Sequence, residues 1–279
     1  MDGRAARTGE KVTDSLDPRL DVYARLTEHE LRSKRDPAEG VFIAESTKVI
    51  RLALDAGYEP LSLVTPASRV TQATQAYADV PEEVPLLIVD DGILETIAGF
   101  AVTRGELAAF RRPAPLSPEE VLGEARRVAV LDALTDATNV GALLRSAAAL
   151  GIDAVVLSPT CADPLIRRTI RVSMGTALLI PWVRFEGTQQ EWESGGMEWL
   201  RSFGLTTAAT DLTDDAVAPD DPRVLDAERL AVVFGTEGEG SSDELVGSAD
   251  LTICIPMARS VDSLNVAAMA AIVFWEIGR

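Results

Sequence analysis

The chain has 279 residues, 47% of them hydrophobic, which fills one large core or two ordinary ones and excludes a disordered chain. Its formal net charge of −18 excludes general attraction to phosphate, so any nucleic-acid contact has to come from locally concentrated Lys and Arg. The two cysteines, Cys161 and Cys254, lack metal-ligand spacing, and the expectation is reduced structural thiols, no bound metal and a cytoplasmic setting.

Residues 1–17 are polar, without the apolar centre of a signal peptide, and read as a disordered lead. Residues 18–110 read as a first domain. His29 stands alone in a polar stretch, as a surface residue would, and a small basic cluster follows at Arg32, Lys34 and Arg35. Val49, Ile50, Leu52, Ala53, Leu54 and Ala56 have the spacing of a helix that Gly57 would stop, and Leu61–Thr65 and Leu86–Val89 read as strands. Residues 111–124 carry Pro113, Pro115 and Pro118, which break helices and central strands, and the interdomain linker is expected there.

From residue 125 to 279 the pattern changes to short, nearly all-apolar runs separated by helical stretches. The runs are Val128–Leu131, Ala154–Leu157, Leu178–Val183, Leu205–Ala209, Ala231–Phe234 and Leu251–Ile255. Strands apolar on both faces belong in a parallel sheet covered by helices, so the fold class is α/β. Ligands in such sheets bind beyond the carboxyl ends of the strands. No apolar run is long enough to span a membrane.

Three polar motifs follow strand ends. The first runs from Asp136 through Asn139 and Gly141 to Arg145. Asn139 suits a helix N-cap, and Gly141 lies one turn ahead of Arg145 on the same face. Glycine there costs roughly 1 kcal/mol of helix stability relative to alanine, but clears room beside the guanidinium. The second, Gly235–Gly240, fits neither a dinucleotide nor a P-loop fingerprint. Its glycines let backbone groups face a ligand directly, and its two glutamates suit a cationic one. The third sets Ser263, Leu264 and Asn265 at the mouth of an apolar helix containing Val266, Ala267, Met269, Ala270, Val273 and Phe274. Taken singly, the motifs also read as a capped helix with a surface arginine, an ordinary turn and a capping pair. Between the first and second, Arg167, Arg168, Arg171 and Arg184 face only Asp163 in residues 160–185, a local basic excess despite the acidic whole.

In residue type and order, these motifs resemble the signatures of the SpoU/TrmH family of RNA ribose 2′-O-methyltransferases, within the SPOUT superfamily. The resemblance implies a parallel sheet with a deep C-terminal trefoil knot and S-adenosylmethionine bent among the knot loops. Those loops match Gly235, Thr236, Glu237 and Gly238, then Ile255 and Met257, then Ser263, Leu264 and Asn265. The family's important polar residues fall on Asn139, Arg145, Glu237, Ser263 and Asn265, and Ser173-Met174-Gly175 resembles a further family feature. It also implies a homodimer through the knotted domain, with the site built across the interface. Residues 35–57 resemble, more weakly, the ribosomal-protein-like RNA-binding domain that precedes many members, although Ser46 stands where a glycine is usual. RNA contacts are expected from Arg32, Lys34, Arg35, Arg167, Arg168 and Arg171.

The chain stops straight after the last helix, whereas the tRNA-directed branch carries a C-terminal extension, so 23S ribosomal RNA is the expected substrate. The alternatives are a tRNA 2′-O-methyltransferase, a non-catalytic RNA-binding relative, and a nucleotide-dependent oxidoreductase, whose fingerprint the sequence lacks. The family account makes the arginine a general base. Guanidinium stays protonated in proteins, so Arg145 reads instead as a clamp on the phosphate beside the target ribose.

Overall fold

The computed structural model describes residues 8–23, 37–98, 105–236, 240–258 and 263–278. The chain divides into two compact units: residues 1–113 with 165–178, and residues 114–164 with 179–279. The division at 113/114 falls inside the stretch 111–124, and the second unit is not one continuous stretch. Residues 165–178 leave it and join the first unit.

The first unit holds a five-stranded mixed sheet. Its strands are β1 (Glu10–Lys11), β2 (Val41–Glu45), β3 (Pro60–Pro66), β4 (Leu86–Val89) and β5 (Leu107–Arg111), in the order β1-β4-β3-β5-β2. Among the described residues, helices α1 (Thr47–Asp55), α2 (Val70–Ala76) and α3 (Asp91–Ala98) accompany it. Gly57, at φ 83°, ends the α1 turn as glycine readily does. Two expectations need correction. Residues 8–17 are not a disordered lead, because β1 pairs with β4 and Val12 is buried in the core; residues 1–7 lie outside the described residues. Nor is 111–124 a linker throughout. Ser117 and Glu120 form a reciprocal capping box that starts α4 (Pro118–Leu122), and Val121 and Leu122 sit in the second unit's core.

The second unit holds six parallel strands: β6 (Arg127–Leu131), β7 (Ala154–Leu157), β8 (Trp182–Arg184), β9 (Thr206–Thr210), β10 (Leu230–Phe234) and β11 (Leu251–Ile253). Their order is β11-β9-β10-β6-β7-β8. Its helices besides α4 are α5 (Ala137–Ala149), α7 (Gln189–Ser202), α8 (Pro222–Leu225), α9 (Asp243–Gly247) and α10 (Val266–Ile277), while α6 (Arg167–Val172) lies in the excursion that joins the first unit. The apolar runs read from sequence are burial on two faces at once. Val128, Val130, Val156, Ala231 and Val233 pack with Trp192, Met197 and Leu200 of α7 and Leu245 of α9. The intervening Ala129, Leu131, Val232 and Phe234 are equally buried on the opposite face, where Phe234 meets Phe274 of α10 edge-on at 5.3 Å. Strand alternation with both faces covered is what requires an all-apolar strand. Among the described residues, no helix is long and apolar enough to cross a membrane.

The expected strand over Leu178–Val183 is displaced. Thr176–Leu178 is a 3-10 turn of the first unit, Leu179 is exposed, and Pro181 offers no N–H to a ladder, so pairing begins at Trp182.

Candidate active site

All six strands run parallel, so the segments after β6, β10 and β11 emerge at one edge of the sheet. After β6 the chain is fixed by Asp132. This buried carboxylate accepts hydrogen bonds from the Trp192 indole Nε1 (2.9 Å) and the Gln189 Nε2 (3.0 Å). The next residue, Ala133, is left-handed at φ 53° and donates its N–H to Ser158 Oγ at 2.8 Å. Asp136 then caps α5 by accepting the Thr138 N–H. The N-cap is therefore Asp136, not Asn139 as the sequence suggested, and Asn139 stands in the first turn.

After β10, Gly235 is buried, and an added Cβ would clash with the Ser241 nitrogen and the Gly240 carbonyl carbon. Thr236 and Gly240 close the loop through paired backbone hydrogen bonds of 3.2 and 3.1 Å, and the Thr236 hydroxyl adds a third to the Gly240 carbonyl. Glu237 and Gly238 lie outside the described residues. After β11, Ile255 and Met257 are half-buried, as is Leu264, while Ser263 is exposed. Asn265 caps α10: its Oδ1 accepts from the N–H groups of Ala267 (3.1 Å) and Ala268 (3.3 Å).

The first and third motifs meet. Asn265 Nδ2 donates to Asn139 Oδ1 at 3.1 Å across 126 positions of sequence. Helix α10 packs along α5, which brings the two amides together. Arg145 does not join them. Six residues after Asn139, it points about 120° away from it round the helix at roughly 100° per residue. It is exposed and makes no hydrogen bond or ion pair among the described residues.

The basic candidates separate by environment. Arg32, Lys34 and Arg35 lie outside the described residues. Arg167 is a correction: it is 6% exposed, its guanidinium pairs with Glu45 of β2 at 3.0 Å, and it donates to the Ala98 carbonyl, so its charge is spent inside the first unit. Arg168 and Arg171 are exposed on the same short helix, α6. Ser173, Met174 and Gly175 end that helix. The buried Ser173 hydroxyl donates to the Ile170 carbonyl, and Met174 and Gly175 are left-handed. Asp132 escaped the sequence reading. Its signal was a lone carboxylate straight after the all-apolar run Val128–Leu131.

The donor set at this edge suits S-adenosylmethionine. Gly235 and Thr236 offer close backbone, Ile255, Met257 and Leu264 offer apolar surface, and no cation among them opposes a sulfonium.

Residues 126–275 match the family model described as SpoU rRNA Methylase family. An uncharacterized tRNA/rRNA methyltransferase of Mycobacterium tuberculosis is 36% identical over 265 residues, 95% of this chain and 90% of that protein. The 23S rRNA (guanosine(2553)-2′-O)-methyltransferase of Bacillus subtilis is 34% identical over 160 residues, 57% of this chain and 61% of that protein. An AdoMet-bound rRNA methyltransferase from Sinorhizobium meliloti superposes with a TM-score of 0.78 at 26% identity, covering 96% of this chain and 97% of that one. A family match over more than half the chain, on a sheet whose carboxyl edge joins the first and third motifs, makes the protein a member of the SpoU/TrmH family.

Proposed function

We propose that the protein transfers a methyl group from S-adenosylmethionine to a ribose 2′-hydroxyl of RNA, with 23S ribosomal RNA in the cytoplasm as substrate. The observation that carries this reading is the Asn139–Asn265 contact, which joins two distant polar motifs at the edge of a parallel sheet where ligands bind. The family description, the Sinorhizobium meliloti structure and the Bacillus subtilis relative, each named for ribosomal RNA, support the substrate class.

The bound cofactor supplies a methyl group already activated as a sulfonium. Gly235, Thr236, Glu237, Gly238, Ile255, Met257, Ser263, Leu264 and Asn265 hold and orient it. Asn139 stands beside Asn265 in the reaction site. Arg145, permanently protonated, grips the phosphate beside the target ribose and stabilises the developing alkoxide. The phosphate or a water takes the proton, and in-line placement supplies most of the acceleration. Arg168 and Arg171, with Arg32, Lys34 and Arg35, give the acidic protein local phosphate contacts.

Two further features belong to the same proposal. After β11, at one edge of the sheet, the chain returns past β9 and β10 to lay α10 against α5, and this return supports a trefoil-knotted C-terminus. The outer face of α10 carries Ala268, Ile272 and Trp275 at helical spacing, with Ile272 42% and Trp275 54% exposed. That apolar stripe supports a homodimer through the second unit.

Methyl transfer from labelled S-adenosylmethionine to ribosomal RNA and to tRNA, followed by mapping of 2′-O-methyl positions, tests the reading. Arg145→Lys is expected to lose at least about tenfold in turnover, since lysine cannot form the bidentate clamp, while cofactor affinity stays unchanged. Methylation confined to tRNA would move the substrate. Cofactor binding without methylation of any RNA would instead mark a non-catalytic relative.

A further inference from the structure

We infer that Arg184, at the carboxyl end of β8, binds a backbone phosphate of the RNA at a place distinct from Arg145. The inference deepens the RNA methyltransferase reading and rests on it for the identity of the anion only. Strand register places the residue. Phe234 of β10 pairs with Leu131 of β6, Leu131 with Leu157 of β7, and Leu157 with Arg184, so the four form one row at the carboxyl edge. Side chains level in paired strands share a face. Phe234 shows which face, because it meets Phe274 of α10, and α5 packs along α10. Arg184 therefore starts from the α5 and α10 side of the sheet. It stands three strand spacings, roughly 14 Å, from the end of β10 that leads into Gly235.

One end of its guanidinium is already fixed. Nη1 donates to the carbonyls of Ser158, Pro159 and Cys161 at 3.0, 3.1 and 2.9 Å, in the turn after β7. Carbonyls hold the group without neutralising it. No carboxylate among the described residues pairs with it, and Asp132, after the neighbouring β6, spends its Oδ1 on Trp192 and Gln189. Nε and Nη2 make no hydrogen bond among the described residues, and neither nitrogen is sealed from solvent. Arg229, just before β10, is the contrast. It spends all three nitrogens on the carbonyls of Ala125, Phe203 and Leu122, as a purely bracing arginine does. The free edge of Arg184 presents two parallel N–H groups, the fork that matches two oxygens of one phosphate. Because the other end is held, little side-chain freedom is lost on binding. In a chain of net charge −18, a fixed cation without a counter-charge at the ligand-binding edge of the sheet points to an anionic ligand.

Salt-dependent binding of the full chain to transcribed 23S ribosomal RNA tests this, alongside melting temperature and S-adenosylmethionine affinity. Arg184→Gln removes the charge. It is expected to weaken RNA binding about tenfold and to lower the slope of log Kd against log salt by roughly 0.7–0.9, the value of one phosphate contact. Arg184→Lys keeps the charge, and its three N–H groups serve the three carbonyls, which leaves no second edge for a phosphate. That variant is expected to keep the parent's melting temperature and salt slope and still lose RNA affinity. S-adenosylmethionine affinity is expected to stay at the parent's value in both. An unchanged slope in Arg184→Gln, or full RNA affinity in Arg184→Lys, would overturn the inference. A lower melting temperature with RNA binding intact would make Arg184 a brace alone. Loss of S-adenosylmethionine affinity in place of RNA affinity would overturn it as well, giving the fork to the cofactor carboxylate. A parent that binds the RNA and methylates none would remove the enzyme reading and leave the slope change standing. A parent that binds no RNA would overturn both.

Discussion

Ser46 carries φ 81° and ψ 146°, a backbone region that glycine enters freely and other residues enter under strain. It is buried between β2 and α1, and its N–H donates to the Glu106 carbonyl at 3.0 Å, so the turn cannot relax without losing that bond. The serine therefore holds a backbone geometry that glycine adopts without strain. Ser46→Gly is expected to stabilise the protein by about 1 kcal/mol, the strain relieved less the extra freedom given to the unfolded chain. A lower melting temperature than the parent would refute this. The site residues differ in how far sequence alone exposed them. Asn139 and Asn265 were legible because each is a polar residue at the start of an apolar helix, and Gly235 because it directly follows an apolar strand. Asp132 meets the same criterion and was hidden because its partners, Trp192 and Gln189, lie some sixty positions away.

Helix α6 shows what an element adds to a residue's meaning. In sequence, Arg167, Arg168 and Arg171 form one basic cluster, and nothing in their order separates them. Once coiled against β2, Arg167 faces inward to Glu45, with the pair 6% and 10% exposed, while Arg168 and Arg171 face outward. Glu45→Gln removes the carboxylate from this buried ion pair and is expected to cost about 3 kcal/mol in urea unfolding. Arg168→Gln, on the outer face, is expected to stay within about 0.5 kcal/mol. Equal effects from the two changes would mean that the pair does not hold α6. Most strands of the second unit, by contrast, were legible to within one or two residues, because burial on two faces leaves a continuous apolar run that no other element of that length needs, whereas β1, β2 and β5 of the first unit were not read. Leu178–Val183 failed for the same reason in reverse. It is apolar, but it serves two units and contains Pro181.

For the whole molecule, the notable feature is that the chain enters the first unit twice, through residues 1–113 and again through 165–178. Leu165, Ile170, Ala177 and Leu178 are buried there, and an added Cβ on Gly175 would come within 3.1 Å of Val49. A protein starting at Leu116 is therefore expected to melt at lower temperature than the full chain and to bind a hydrophobic dye, since these side chains lose their packing. The sequence reads residues 125–279 as one continuous second domain. Equal melting without dye binding would restore that view.

The sequence by itself determined the local features: helix and strand periods, the parallel sheet, and the motifs whose type and order carry the family resemblance. These depend on neighbours within a few residues and on whether one face or two are buried. Tertiary structure decided which arginine is spent on Glu45, which unit owns residues 165–178, and that Asn265 reaches Asn139. Each of those depends on which distant groups come within hydrogen-bonding or packing distance, and sequence order does not encode such distances.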